Sequence, residues 1–226
     1  VKPWEMMRRF GGVSAGGGGD VVLLLNGGPP AGSTSFVDES PYAATLTRYG
    51  DAVYSGGQSK FGATSIYCPA SPNGGLLTPT ADRYHVGAGD FCVEAWVYPI
   101  VISGQRGIFD TRTSSGGGNG FFIYILDGRI GYYDGASAHE TAVAVVATGS
   151  WQFIKMFREN GVVTIEVDGV DVLSRGDALD YASRQAFIGA AYYYPAGVVP
   201  LGGYLAPLRY TVGESRSGEG VPPGPF

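Results

Sequence analysis

Charge is scarce in this sequence. Asp, Glu, Lys and Arg make up only 15% of its 226 residues, against about 25% in an ordinary soluble domain. The net charge is −5, the pI is near 5.0, and the longest Lys/Arg run is the pair Arg8-Arg9. Neutralising a phosphate backbone takes clustered cations, so nucleic acid is not an expected partner. No apolar run approaches the ~20 residues of a membrane-spanning helix, and no membrane partner is expected. The opening VKPWEMMRRFGG has charges and a proline where a secretory signal has its apolar core. Either export does not use that route, or a signal has already been removed. Cysteine is limited to Cys68 and Cys92, and histidine to His85 and His139. Neither histidine lies at ligand spacing from a cysteine, so no zinc site is expected. Both cysteines sit inside apolar, strand-like runs. They read either as buried free thiols acting as small hydrophobes or as one cross-strand disulfide.

Glycine, tyrosine and apolar residues are abundant instead: 38 glycines, 15 tyrosines and a hydrophobic share of 44%. The glycines follow no three-residue period, which excludes collagen. Combined with aromatic and β-branched residues they imply short strands joined by tight turns. Strand-like runs recur from Asp20 onward: VVLLL, LTRYG, DAVYS, ATSIYC, FCVEAWVYPI, RGIFDTR, FFIYIL, RIGYYD, TAVAVVA, WQFIKMFR, VVTIEV and VDVLSR. Asp127-Gly128, Asn160-Gly161 and Asp168-Gly169 mark hairpin turns, because such pairs tolerate the positive φ that two-residue loops require. The stretch 71–90, with two prolines, reads mostly as loop. DALDYASRQ (177–185) is the one mildly helical stretch. A dozen or more short strands imply an all-β fold of two stacked antiparallel sheets, a sandwich spanning 20–226. Residues 1–19 stand apart as an arm on a glycine-rich linker. The segment reads either as a disordered terminus or as an arm that docks on a neighbouring subunit, with Trp4, Met6, Met7 and Phe10 as its apolar anchors and Arg8 and Arg9 as its polar rim.

Catalytic chemistry finds little support. Glu166, Asp168 and Asp171 in IEVDGVDV imitate the paired carboxylates of a glycosidase. Asp168-Gly169 reads better as a turn, which breaks the alternation that would put the carboxylates on one face. Neither His85 nor His139 lies near a nucleophile elbow, and no glycine-rich stretch carries the ending of a phosphate loop. No enzyme is expected. Tyr132, Tyr133 and Asp134, and Tyr192, Tyr193 and Tyr194, cluster near turns. Such tyrosines either alternate into the core and cover a charge-poor surface, or offer a flat apolar face plus a hydroxyl for contact with a glycan or a protein partner.

Six segments then line up in order. GDAVYSGGQSKFGATSIY, GDFCVEAWVYP, WQFIKMFRENGVVTIEVDGV, FIGA, GGYLAPLRYTVGESR and the closing PPGPF resemble the successive signatures of laminin-G-like, concanavalin A-like jelly-roll domains of the type found in bacteriophage virion proteins. The resemblance covers about 20–226. It implies a non-enzymatic component of a virion surface: a capsid decoration, head-fibre or tail-associated protein. Such a protein would assemble as a symmetric oligomer through its arm, with copies of itself or other virion proteins as partners. The alternative it implies is a lectin-like module for a cell-surface glycan. The sequence departs from the family at two places. Ala206 and Pro207 stand where an acidic pair often helps bind calcium, leaving Asp38 as the remaining candidate ligand. Calcium takes six to eight oxygens, so no cofactor is expected. Gln152 and Phe153 replace the usual His pair after the sandwich tryptophan.

Overall fold

A computed structural model of the chain describes residues 19–71, 73–112, 119–193 and 197–226. The arm residues Trp4, Met6, Met7, Arg8, Arg9 and Phe10 lie outside the described residues, as does Tyr194. The strands run in chain order as β1 (Asp20–Leu25), β2 (Thr47–Gly50), β3 (Val53–Ser55), β4 (Ser65–Cys68), β5 (Gly74–Leu77), β6 (Phe91–Pro99), β7 (Gln105–Asp110), β8 (Phe122–Leu126) and β9 (Arg129–Tyr133). They continue as β10 (Ala138–Glu140), β11 (Gln152–Glu159), β12 (Val162–Val167), β13 (Val170–Gly176), β14 (Phe187–Ile188), β15 (Ala190–Tyr193), β16 (Gly197–Pro200) and β17 (Gly203–Val212).

Two antiparallel sheets carry the fold. The larger has the order β13-β12-β11-β6-β17-β4-β3, and β1 also pairs with β17. The smaller has the order β10-β9-β8-β7-β14-β5-β2, and β15-β16 form a separate hairpin. β17 pairs with β6 along one edge. Along its other edge it pairs with β1 through residues 208–212 and with β4 through 203–205. Its register shifts between Leu205 and Leu208, where this changeover occurs. All three expected hairpin turns form. Asp127/Gly128, Asn160/Gly161 and Asp168/Gly169 have φ of 51/82°, 50/76° and 52/79°, the left-handed pair of a type I′ turn.

Alternation sorts the side chains. On β6, Phe91, Val93, Ala95 and Val97 enter the core between the sheets, with Ile154 and Met156 of β11, Val163 and Ile165 of β12, and Leu208 and Tyr210 of β17. Burying each of the larger aliphatic or phenyl side chains among them contributes about 1.5–3 kcal/mol. The intervening residues Cys92, Glu94, Trp96 and Tyr98 therefore face away from that core. Yet Cys92, Glu94 and Trp96 are also buried, so something covers the outer face.

Several expectations need correction. Within residues 71–90, expected to be mostly loop, lie β5 and a 3-10 turn at Asp82–Tyr84. TAVAVVA is not a strand. It crosses from β10 to β11 as loop, pinned by Val145 and Val146 N–H groups donating to Gly128 O. DALDYASRQ forms no helix; Tyr181 makes an isolated bridge to Gly87 instead. Cys68 and Cys92 are both buried and both free, which removes the disulfide alternative. They lie opposite Gly203 and Thr211 on β17. Eight residues of strand separate those positions by roughly 20–25 Å, far beyond the ~7 Å limit for bridging. Burial pushes the Cys68 thiol up to about 12 and drives the Cys92 thiol well above its ordinary value, with the Glu94 charge adding to the rise. Since the thiolate is the reactive form, neither cysteine is expected to react with an aromatic disulfide reagent at pH 8 in the native protein. Both should react on denaturation. Rapid labelling of either under native conditions would contradict this burial.

Candidate functional site

The outer face of the large sheet reads as rows running across its strands. One row is ionic. Arg209 of β17 stands opposite Glu94 of β6, Glu94 opposite Lys155 of β11, Lys155 opposite Glu166 of β12, and Glu166 opposite Asp171 of β13. Charges alternate through the first four positions, the arrangement cross-strand pairing favours. Arg209 Nε donates to Glu94 Oε2 at 2.6 Å, and Lys155 Nζ to Glu166 Oε1 at 3.4 Å. Burial raises the Glu166 carboxyl above its usual range, and the Lys155 ammonium partly offsets the rise. Glu166 is thus spoken for as a structural partner of Lys155. Asp168 sits at the β12–β13 turn, where its carboxylate accepts from Phe153 N–H at 2.8 Å.

The chain's own closing segment covers this row. Lys155 Nζ also donates to Glu219 O at 2.8 Å, and Arg209 Nη2 to Glu219 Oε2 at 2.5 Å. The Phe226 ring lies 4.5 Å from the Arg209 guanidinium and 6.5 Å from the Phe153 ring. The neighbouring row, Trp96 opposite Phe153, is covered by the β3–β4 loop. Phe61 meets Trp96 edge-on at 6.0 Å, and Lys60 Nζ stands 3.6 Å over the Trp96 ring.

The next row is aromatic and open. Tyr204 of β17 lies between Tyr67 of β4 and Tyr98 of β6, its paired positions on either side. The ring centroids are 4.8 Å apart for Tyr67–Tyr204, 6.1 Å for Tyr98–Tyr204 and 5.6 Å for Tyr98–Trp151. All four residues are partly exposed. Two loops wall the row. Gln58 comes from the β3–β4 loop, and Gly57 beside it lets the Tyr204 hydroxyl approach, since a Cβ there would stand 2.6 Å from that hydroxyl and the ring would have to shift. Thr148 and Gly149 come from the loop before β11. Gly149 N–H donates to Pro99 O, and Gln152 pins the same loop through Ala147 N–H and Val145 O. With Ile100, these residues line a groove of about 320 Å³ beside Tyr98 and Tyr204.

A larger hollow of about 420 Å³ is lined by Asp90, Glu159 and residues 213–219. Its carboxylates are occupied: Glu159 accepts from Ser215 and Ser217, and Glu219 from Arg209 and Arg216. Asp38 is occupied too. Its two oxygens accept from Leu24 N, Ser40 N, Ser40 Oγ and Ala44 N at 2.8–3.0 Å, so it organises a turn. Among the described residues no group of three or more His, Cys, Asp or Glu side chains is placed to hold a metal ion.

The tyrosines singled out in the sequence fare differently. Tyr132 is fully buried in the core, its hydroxyl donating to Asp177, which overturns its reading as a contact residue. Tyr133, its neighbour on β9, faces the other way and lies partly exposed, 5.3 Å from the Arg112 guanidinium. Asp134 closes the β9–β10 turn, accepting from Ala136 N, Ser137 N and His139. Tyr192 and Tyr193 belong to β15, with their side chains outside the described part. Tyr132, Tyr133 and Asp134 do not line the aromatic groove.

Residues 71–210 match the family described as the concanavalin A-like lectin/glucanases superfamily. No curated protein sequence matches the chain. Among solved structures, similarity extends to domain 4 of AbnA, a GH43 extracellular arabinanase from Geobacillus stearothermophilus, in complex with arabinotriose. The TM-score is 0.64 at 16% identity, over 87% of this chain and 94% of that one. The binding domain of Paraclostridial Mosquitocidal Protein 1 gives 0.63 at 12%, and that of botulinum neurotoxin DC in complex with SialylT gives 0.61 at 13%. This chain is covered to 87% in both, but it spans only about half of those two domains, 49% and 48%. At these identities the likeness establishes the fold.

Proposed function

Because the chain belongs to the concanavalin A-like lectin/glucanases superfamily, we propose that it is a carbohydrate-binding, lectin-like module that holds a glycan against Tyr98 and Tyr204. One observation carries this reading. Of the outer-face rows around β6 and β17, the ionic row and the Trp96 row are covered by the chain itself, while the aromatic row is left open beside a groove. The C–H faces of a sugar ring pack on aromatic rings, and the phenol hydroxyls, Gln58 and Thr148 supply the few polar groups that fix orientation. The similar domain 4 of the arabinanase, bound to arabinotriose, and the toxin binding domains support binding rather than turnover. So does the structural engagement of Glu166 and Asp168.

The virion reading rests on the closing-segment resemblance and on the arm. The two readings are compatible, since fold does not fix function and an outer particle domain can also adhere. The comparisons support the carbohydrate-binding reading better.

Tyr98→Ala and Tyr204→Ala are each expected to weaken glycan binding by about 30-fold, the ~2 kcal/mol of a central aromatic contact. Tyr133→Ala, on the other sheet, should leave it unchanged. A glycan array followed by calorimetry reads this directly. Undiminished binding by both groove variants would move the site elsewhere.

A further inference from the structure

The groove's lining also selects among glycans. We infer that the site takes an uncharged saccharide end, one or two sugar rings long, and discriminates against the same glycan carrying a carboxylate. This rests on the glycan-binding reading and narrows its ligand class.

The groove is lined by Gln58, Tyr98, Ile100, Thr148, Gly149 and Tyr204. That set holds an amide, two phenols and a hydroxyl, but no ammonium, guanidinium or carboxylate. A sialic or uronic acid brought against it would shed water from a full negative charge and gain no cation in return, a costly exchange. Sites that select carboxylates answer them with Arg or Lys. Among the described residues, the neighbouring cations on this face each meet a partner of their own. Lys60 stands over the Trp96 ring at 3.6 Å. Lys155 is fully buried with Glu166 and Glu219 O. Arg209 is held between Glu94 and Glu219. The chain's net charge of −5 further opposes an anionic ligand.

Size follows from the cavity. About 320 Å³ lies at the lower end of the ~300–1,000 Å³ typical of small-molecule sites, which suits one or two rings rather than a long chain. Tyr67 and Trp151 extend the aromatic row beyond the two groove tyrosines and give the second ring a surface.

The test uses the full chain against an immobilised panel of matched oligosaccharides, each present as a neutral form and as its sialylated or uronic-acid counterpart. Neutral members should bind, and their acidic counterparts should bind at least tenfold more weakly. Binding of the neutral members should be unchanged between about 50 and about 500 mM salt, because no ion pair is there to be screened. Tyr98→Phe should keep at least part of the binding that Tyr98→Ala loses, since it retains the ring; its thermal unfolding checks that the fold is intact. Acidic members binding equally well or better would overturn this inference while leaving the glycan-binding function standing. No binding to any member would remove that function, and this inference with it.

Discussion

Arg158→Met is expected to destabilise the protein by about 3–5 kcal/mol, lowering its melting temperature by about 10 °C. The side chain is completely buried between the sheets. Its Nε and Nη2 donate to Gly89 O at 2.8 and 2.6 Å, Nη2 also to Gly87 O at 2.7 Å, and Nη1 to Leu179 O at 2.8 Å. Nη1 stands 3.5 Å from Asp177 Oδ1. The guanidinium lies 5.4 Å from the Phe91 ring and 5.0 Å from Tyr181. Methionine fills much of the same volume, so the loss isolates the polar groups. Three carbonyls would lose a donor, although Gly87 O keeps Tyr181 N–H, and the buried Asp177 carboxylate would lose its cation; a buried acceptor left unpaired costs more than the bond it made. The hydroxyls of Tyr132 and Tyr181 would still donate to Asp177 Oδ2, at 3.2 and 2.5 Å, but two neutral donors do not replace a cation. Chemical denaturation reads the change. A loss below about 1 kcal/mol would mean that Arg158 merely fills space.

The same neighbourhood shows which parts of the fold were legible. The type I′ turns were readable because Asp-Gly and Asn-Gly fix the backbone locally. The long strands were readable because apolar residues alternate within them. β5 was not, since GGLL has no alternation and follows a proline. TAVAVVA was misread because its valines alternate without a partner strand, and Val143 is 66% exposed. Tyr132 and Tyr133 were assigned to one contact patch because both adjoin a turn. They occupy successive positions of β9, so only one can face outward. The aromatic groove is not legible in the sequence for a different reason. Tyr67, Tyr98 and Tyr204 are scattered along the chain and meet only because β17 inserts between β4 and β6. A partial signal was present in FCVEAWVYP: alternation sets Glu94, Trp96 and Tyr98 on one face. A glutamate and a tryptophan sharing a face mark a surface that something must cover or occupy.

Lowering the pH from about 5 to about 3 is expected to loosen residues 215–226 from the large sheet before the sandwich itself unfolds. Two carboxylates fasten this segment. For Glu219, burial works against ionisation, but the hydrogen bond and charge of Arg209 and the charge of Arg216 outweigh it and hold the carboxyl below its usual range. For Glu159, the Ser217 and Ser215 hydroxyls do the same. A depressed carboxyl pKa contributes stability that is complete above the unfolded value of ~4.3 and is lost as pH falls through the folded value. Protonation therefore weakens the clasp over that interval. Glu166, shifted upward by burial, works in the opposite sense; but it belongs to β12, so the segment opens first. Glu219 is 44% exposed, so its ion pairs contribute only a fraction of the strength of buried ones. Hydrogen exchange resolves the two events: amides of 215–226 should lose protection near pH 3 while β6 and β11 keep theirs. Loss of protection in both at once, or in neither, would contradict the clasp. Glu219→Gln should flatten part of the pH dependence. Arg209→Ala should do far more, about 3–5 kcal/mol, because it strands Glu94, which is only 1% exposed and already has one carboxylate oxygen without a partner. The aromatic groove lies outside this clasp, and its lining holds no carboxylate or imidazole. Glycan binding should therefore stay level across the pH range in which the segment opens, which separates the cover over the charged row from the recognition surface beside it.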